Sequence, residues 1–98
     1  MRTKVKVSDQ VESFIKALAP EPRRALRLAI KGLAQDKGDT KRLEGKLAGY
    51  HRLRVAGYRV IYAERFEAGH RILECIWAKE RAVVYEIFLR LHAEEFIA

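Results

Sequence analysis

The stretch YHRLRVAGYRVIY, residues Tyr50 to Tyr62, places apolar and basic side chains on alternate positions on either side of Ala56-Gly57. Period-two alternation interrupted by a short Gly-containing turn predicts a β-hairpin. With Ala56-Gly57 as the turn, Val55 faces Tyr58 and Arg54 faces Arg59. Pleating then puts Leu53, Val55, Tyr58, Val60 and Tyr62 on one face, and Tyr50, Arg52, Arg54, Arg59 and Ile61 on the other. The first set belongs against a core, which leaves the arginines, Arg59 included, on the open face. Directly opposed like charges weaken a strand pair by up to about 1 kcal/mol. An array of guanidinium forks suits phosphate oxygens, which it grips bidentately. The alternative is that the arginines splay into water or pair with acids such as Glu44 or Glu64.

Outward from the hairpin, residues 71–78 supply a third consecutive strand after the turn EAGH, 67–70. At the N-terminus, RTKVKV (2–7) alternates Lys4 and Lys6 with Val5 and Val7 and reads as an edge strand. Ser8-Asp9 offers an N-cap, with Glu12 three residues beyond Asp9. Val11, Phe14, Ile15 and Leu18 follow at helical spacing, predicting a helix at about 9–19. Pro20 and Pro22 end it and start a second, with Leu26, Ala29, Ile30 and Leu33 as its apolar face and Gly38 as a stop signal. Residues 36–49 are polar, contain Gly38, Gly45 and Gly49, and read as a loop anchored by Leu43 and Leu47. The tail RAVVYEIFLRLHAEEFIA spaces Val84, Ile87 or Phe88, and Leu91 helically and is read as a helix at about 83–97, although Val83, Val84 and Ile87 also suit a strand. The order β-α-α-β-β-β-α predicts one α+β domain over residues 1–98, a small antiparallel sheet with helices packed on one face.

Composition narrows the functions available. With 98 residues there is chain for a single two-layer core. A content of 49% hydrophobic and 34% charged residues fits a globular protein rather than a disordered one. No apolar run approaches the roughly 18 residues of a membrane-spanning helix. The N-terminus MRTKVKVSDQ lacks an apolar export core, and the lone Cys75 suits a reducing cytoplasm, where we place the protein. A formal charge of +7 favours polyanionic or acidic partners without choosing among RNA, DNA and acidic protein.

After the last strand, KERAVVY (79–85) carries Lys79 and Arg81, with Tyr85 four residues beyond Arg81 and on the same side of a helical turn. His51, His70 and His92 have no metal-ligand spacing, and His51 points away from Arg52. Cys75 has no local His partner and reads as a buried small side chain. Gly45-Lys46 lacks the upstream glycine and following hydroxyl of a phosphate loop.

The segments LEGKLAGYHRLRVAGYRVIYAE (43–64) and KERAVVY together form L-x-G…R-x-R-V-x-G-Y-R-x-x-Y plus R-x-x-V-Y. This combination resembles the RelE/ParE superfamily of type II toxin–antitoxin systems, in particular its RelE branch. The resemblance implies a toxin that cuts the mRNA codon in the ribosomal A site, a metal-independent endoribonuclease without cofactor. It implies a RelB-like antitoxin as partner, in a complex that binds operator DNA, and no membrane association. By position it assigns RNA binding to Arg52 and Arg54, and catalysis to Arg59, Lys79, Arg81 and Tyr85. In that scheme Tyr85 takes the 2′-hydroxyl proton, Arg59 holds the scissile phosphate, and Lys79 or Arg81 supports the leaving oxygen.

Three positions depart from the family pattern. Arginine stands at 52 and 54 where the best-known RelE toxins carry lysine, and Lys79 replaces a family arginine. Arginine cannot give up its proton to act as a base, and lysine cannot form a bidentate fork. The alternative reading is a ParE-like poison of DNA gyrase without nuclease activity, and a third is a degenerate toxin retained as a co-repressor. The ending KERAVVY favours the nuclease.

Overall fold

A computed structural model describes residues 2–81; the tail segment at about 83–97 and Tyr85 lie outside the described residues. The elements are β1 (Arg2–Val7), α1 (Asp9–Lys16), α2 (Pro20–Gly32), β2 (Asp39–Arg42), β3 (Tyr50–Val55), β4 (Tyr58–Glu67) and β5 (His70–Glu80). Five strands form one sheet in the order β1-β5-β4-β3-β2. An α+β architecture is therefore present, with two corrections to the sequence reading.

The first correction is that the sheet is mixed: β1 lies parallel to β5, with Val5 opposite Leu73 and Val7 opposite Cys75. Side chains at the exit of β1 hold this pairing. Ser8 N–H donates to the Cys75 carbonyl at 2.9 Å and Ser8 Oγ–H to the Ile76 carbonyl at 2.7 Å. Gln10 then clasps Ala78, its Nε2 donating to the Ala78 carbonyl and its Oε1 accepting from the Ala78 N–H, each at 2.8 Å. The second correction is β2. The segment read as loop contains a fully exposed four-residue strand, DTKR, antiparallel to β3 with Asp39 opposite Arg54 and Lys41 opposite Arg52. Its four side chains show no burial alternation, so periodicity could not reveal it. Gly38 leads into it at φ 108°, a left-handed conformation, and a Cβ there would stand 3.0 Å from Leu53 Cδ1.

Ser8 caps α1, accepting from the Val11 N–H at 3.2 Å. Glu12 does not complete a capping box; its carboxylate receives Arg27 of α2 at 2.9 Å, tying the two helices. The second helix ends at Gly32, earlier than Gly38, and a short 3-10 turn at Leu33–Gln35 follows.

Both helices pack on one sheet face. Val11, Ile15, Leu26, Ile30 and Leu33 meet Leu53, Val60, Tyr62, Leu73, Cys75 and Ala78 in the main core. The face assignment read from the hairpin is thus realised, and Phe14 meets Tyr58 edge to face at 5.8 Å. His51 also lies on this side, stacked on Tyr62 at 5.1 Å. On the opposite face Leu47 and Ile61 are buried together, with Leu43, Tyr50, Ile76 and Trp77 around them. A register shift feeds this second cluster: Ile61 pairs with Trp77 but Tyr62 with Cys75, leaving Ile76 as the extra residue.

Candidate functional site

The open face beside the second cluster carries a groove of about 650 Å³ whose basic lining is Lys41, Arg42, Arg52, Arg54, Arg59 and Arg81; Leu43, Glu44 and Leu47 complete it. Four of the six residues singled out from the sequence therefore converge. Arg54 stands opposite Arg59 across the hairpin, as the Ala56-Gly57 turn requires. Arg81 is brought over the turn because its N–H donates to the Gly57 carbonyl at 2.9 Å.

The cations differ in setting. Arg54 is 53% exposed and Arg52 13%. Arg59 is only 7% exposed, which corrects its placement as an open guanidinium. Its Nη1 donates to the Ala56 carbonyl at 3.0 Å and the Tyr58 carbonyl at 2.8 Å. Those bonds brace a turn in which Ala56 adopts a left-handed φ of 52°. A partly desolvated cation in the lining of a groove interacts with an incoming anion more strongly than a solvated one.

Lys79 does not join this group. It pairs with Arg59 in register, yet its ammonium sits 6.0 Å from the ring centroid of Phe14, a residue of the helix side. Tyr85 is outside the described residues. Among the described tyrosines, burial pushes the Tyr50 and Tyr62 phenols above their ordinary range, away from a role as base near neutrality.

Sequence reasoning missed three residues here: Asp39, Lys41 and Arg42, all on β2. The acids proposed as arginine partners were Glu44 and Glu64. Glu64 instead receives Arg71 at 2.5 Å, while the acid facing the arginines is Asp39, 2.6 Å from Arg54 Nε and 3.8 Å from Arg52 Nη1. The available signal was the charged run DTKR just before a basic hairpin, readable as an antiparallel partner rather than a loop. No cluster of His, Cys, Asp or Glu suited to a metal ion occurs among the described residues.

No family model and no curated protein matches the chain by sequence. Solved structures do match by shape. The RelBE2 toxin–antitoxin complex of Mycobacterium tuberculosis aligns at TM-score 0.67 and 22% identity, over 83% of this chain and 100% of that one. The chain shares the fold of this RelBE2 structure. A YoeB/ParE toxin from Agrobacterium tumefaciens aligns at TM-score 0.65 and 19% identity, over 80% and 98% of the two chains. The archaeal RelE–RelB complex of Pyrococcus horikoshii aligns at 0.61 and 24%, over 84% and 98%. The chain therefore shares the fold of these RelE and YoeB/ParE structures, and at these identities the likeness speaks for architecture alone.

Proposed function

We propose that the protein is the toxin of a type II toxin–antitoxin pair and acts as a ribosome-dependent mRNA endoribonuclease. The observation that carries this reading is the convergence of Arg52, Arg54, Arg59 and Arg81 on one groove of a sheet with the RelE/ParE fold. In the reaction the ribose 2′-oxygen loses its proton to a base and bonds to the adjacent phosphorus. The bond to the 5′-oxygen breaks, that oxygen takes up a proton, and a 2′,3′-cyclic phosphate remains. Negative charge grows on the non-bridging oxygens, where fixed guanidinium groups stabilise it without a metal. Arg59, braced by two carbonyls, is the natural holder of the scissile phosphate, and Arg52 and Arg54 suit the flanking backbone. Arg81 lines the groove and is assigned the leaving oxygen in preference to Lys79, whose ammonium lies against Phe14. Tyr85 is assigned the base.

The groove is open and shallow, so the ribosome is given the task of splaying the codon and aligning its 2′-hydroxyl. Such positioning is worth roughly 7–11 kcal/mol in favourable cases. A RelB-like antitoxin with acidic and apolar residues is the proposed partner, its complex with the toxin binding operator DNA, and the cytoplasm the proposed site of action. The decisive measurement is single-turnover cleavage of mRNA on programmed ribosomes. Arg81→Ala, which removes the cation at the leaving oxygen and keeps the backbone N–H that holds the turn, is expected to slow it by about 10²–10³-fold, and Tyr85→Phe by about 10²-fold. If both stay folded and within a few-fold of the parent, the arginines form a protein-docking surface and the gyrase-poison reading replaces this one.

A further inference from the structure

Asp39 is an acid placed against an anion site. β-Pairing puts it directly opposite Arg54, and its carboxylate spans two guanidinium groups: Oδ2 is 2.6 Å from Arg54 Nε, and Oδ1 is 3.8 Å from Arg52 Nη1. The Nε edge of an arginine is one of the edges that grips a phosphate through two parallel hydrogen bonds. Asp39 is 44% exposed and Arg54 53% exposed, so the carboxylate can turn into water as an arriving phosphate takes its place beside Arg54 and the more buried Arg52. The pair is accordingly weak enough to exchange. We propose that Asp39 is a resident anion: it occupies the Arg54 edge in the free protein, holds Arg52 and Arg54 against their mutual repulsion, and is displaced when a phosphate group enters. Asp39 thereby sets the strength of phosphate binding in the groove.

The proposal deepens the RNA-cleaving reading but concerns the phosphate group, so the two can fail separately. Affinity for inorganic pyrophosphate and for a short single-stranded RNA is measured on the parent, Asp39→Asn and Asp39→Glu, with thermal unfolding on each. Glu21→Gln serves as control, because it makes the same change in net charge on an exposed residue of α2, away from the groove. Asp39→Asn is expected to bind pyrophosphate about three- to fivefold more tightly, the worth of an exposed ion pair no longer in competition. Asp39→Glu, which keeps the competing carboxylate, and Glu21→Gln should both remain within about twofold of the parent. For RNA, affinity should rise in Asp39→Asn by a similar factor, the same phosphate meeting Arg54 with no carboxylate to displace. Unchanged or weaker pyrophosphate binding by a folded Asp39→Asn overturns the proposal, as does an equal gain in Glu21→Gln. If pyrophosphate binding rises as expected while no RNA binds to any form, Asp39 keeps its role and the RNA reading falls.

Discussion

At the scale of single residues, the hairpin arginines divide into two kinds that the sequence could not separate. Alternation correctly put Arg52, Arg54 and Arg59 on the face away from the helices. It could not show that Arg59 turns back on its own turn, because that depends on where the Ala56 and Tyr58 carbonyls lie and not on strand alternation. Arg59→Ala is therefore expected to lower stability by about 1–3 kcal/mol, since two part-buried carbonyls lose a charged donor. Arg54→Ala, at an exposed pair, should cost less than about 1 kcal/mol. Urea unfolding of the two variants checks this, and equal midpoints would show the Arg59 brace to be energetically idle. The same comparison decides how activity losses are read: a defect in Arg54→Ala belongs to the groove, whereas one in Arg59→Ala mixes chemistry with turn geometry.

At the scale of elements, the strands and helices rich in apolar residues were legible, as was the register of the β3–β4 hairpin, whereas the pairings of β1 and β2 were not. The first strand and the hairpin at Tyr50 to Tyr62 were readable because their side chains alternate between apolar and basic along the chain, as pleating requires. β2 was illegible since all four of its residues are exposed, and the parallel β1–β5 pairing is set by contacts 68 residues apart in the chain. Gln10 is the residue on which that pairing should depend most, because one side-chain amide satisfies both the N–H and the C=O of the buried Ala78. Gln10→Ala should cost about 1–3 kcal/mol, whereas Gln10→Glu keeps only the acceptor and should lie between. In hydrogen exchange, the Ala78 amide should lose protection in Gln10→Ala before the hairpin amides do. Uniform loss across the sheet would mean that the clasp is not a local determinant of docking.

At the scale of the whole molecule, the core imposes a pH limit. Burial pushes the Cys75 thiol from an ordinary 9.0 up to about 12, and it raises the Tyr62 phenol in the same direction. The folded state then holds protons that the unfolded chain has already released, so stability is intact below about pH 9 and falls as pH rises toward 12. The loss approaches about 1.4 kcal/mol per pH unit for one group where only the unfolded chain is ionised. Melting temperature followed from neutral to strongly alkaline pH should drop, and Cys75→Ala should flatten that slope whatever it does to the starting value. A slope identical in parent and variant would remove Cys75 from the account.

The sheet order leaves β1 and β2 as its two outer strands among the described residues, and both are written in charge: Arg2, Lys4 and Lys6 on one, Asp39, Lys41 and Arg42 on the other. An outer strand offers unpaired backbone groups to any similar strand, and lysine is a common guard against such pairing. Two molecules approaching edge to edge would bring these rows, each with a net positive charge, together. The basic excess that lines the groove thus also opposes edge-to-edge pairing of two copies of the chain. That protection is electrostatic, and it weakens as the Debye length shrinks from about 10 Å at 0.1 M salt to about 3 Å at 1 M. Concentrated protein is therefore best kept at low ionic strength, where mutual repulsion reaches farthest.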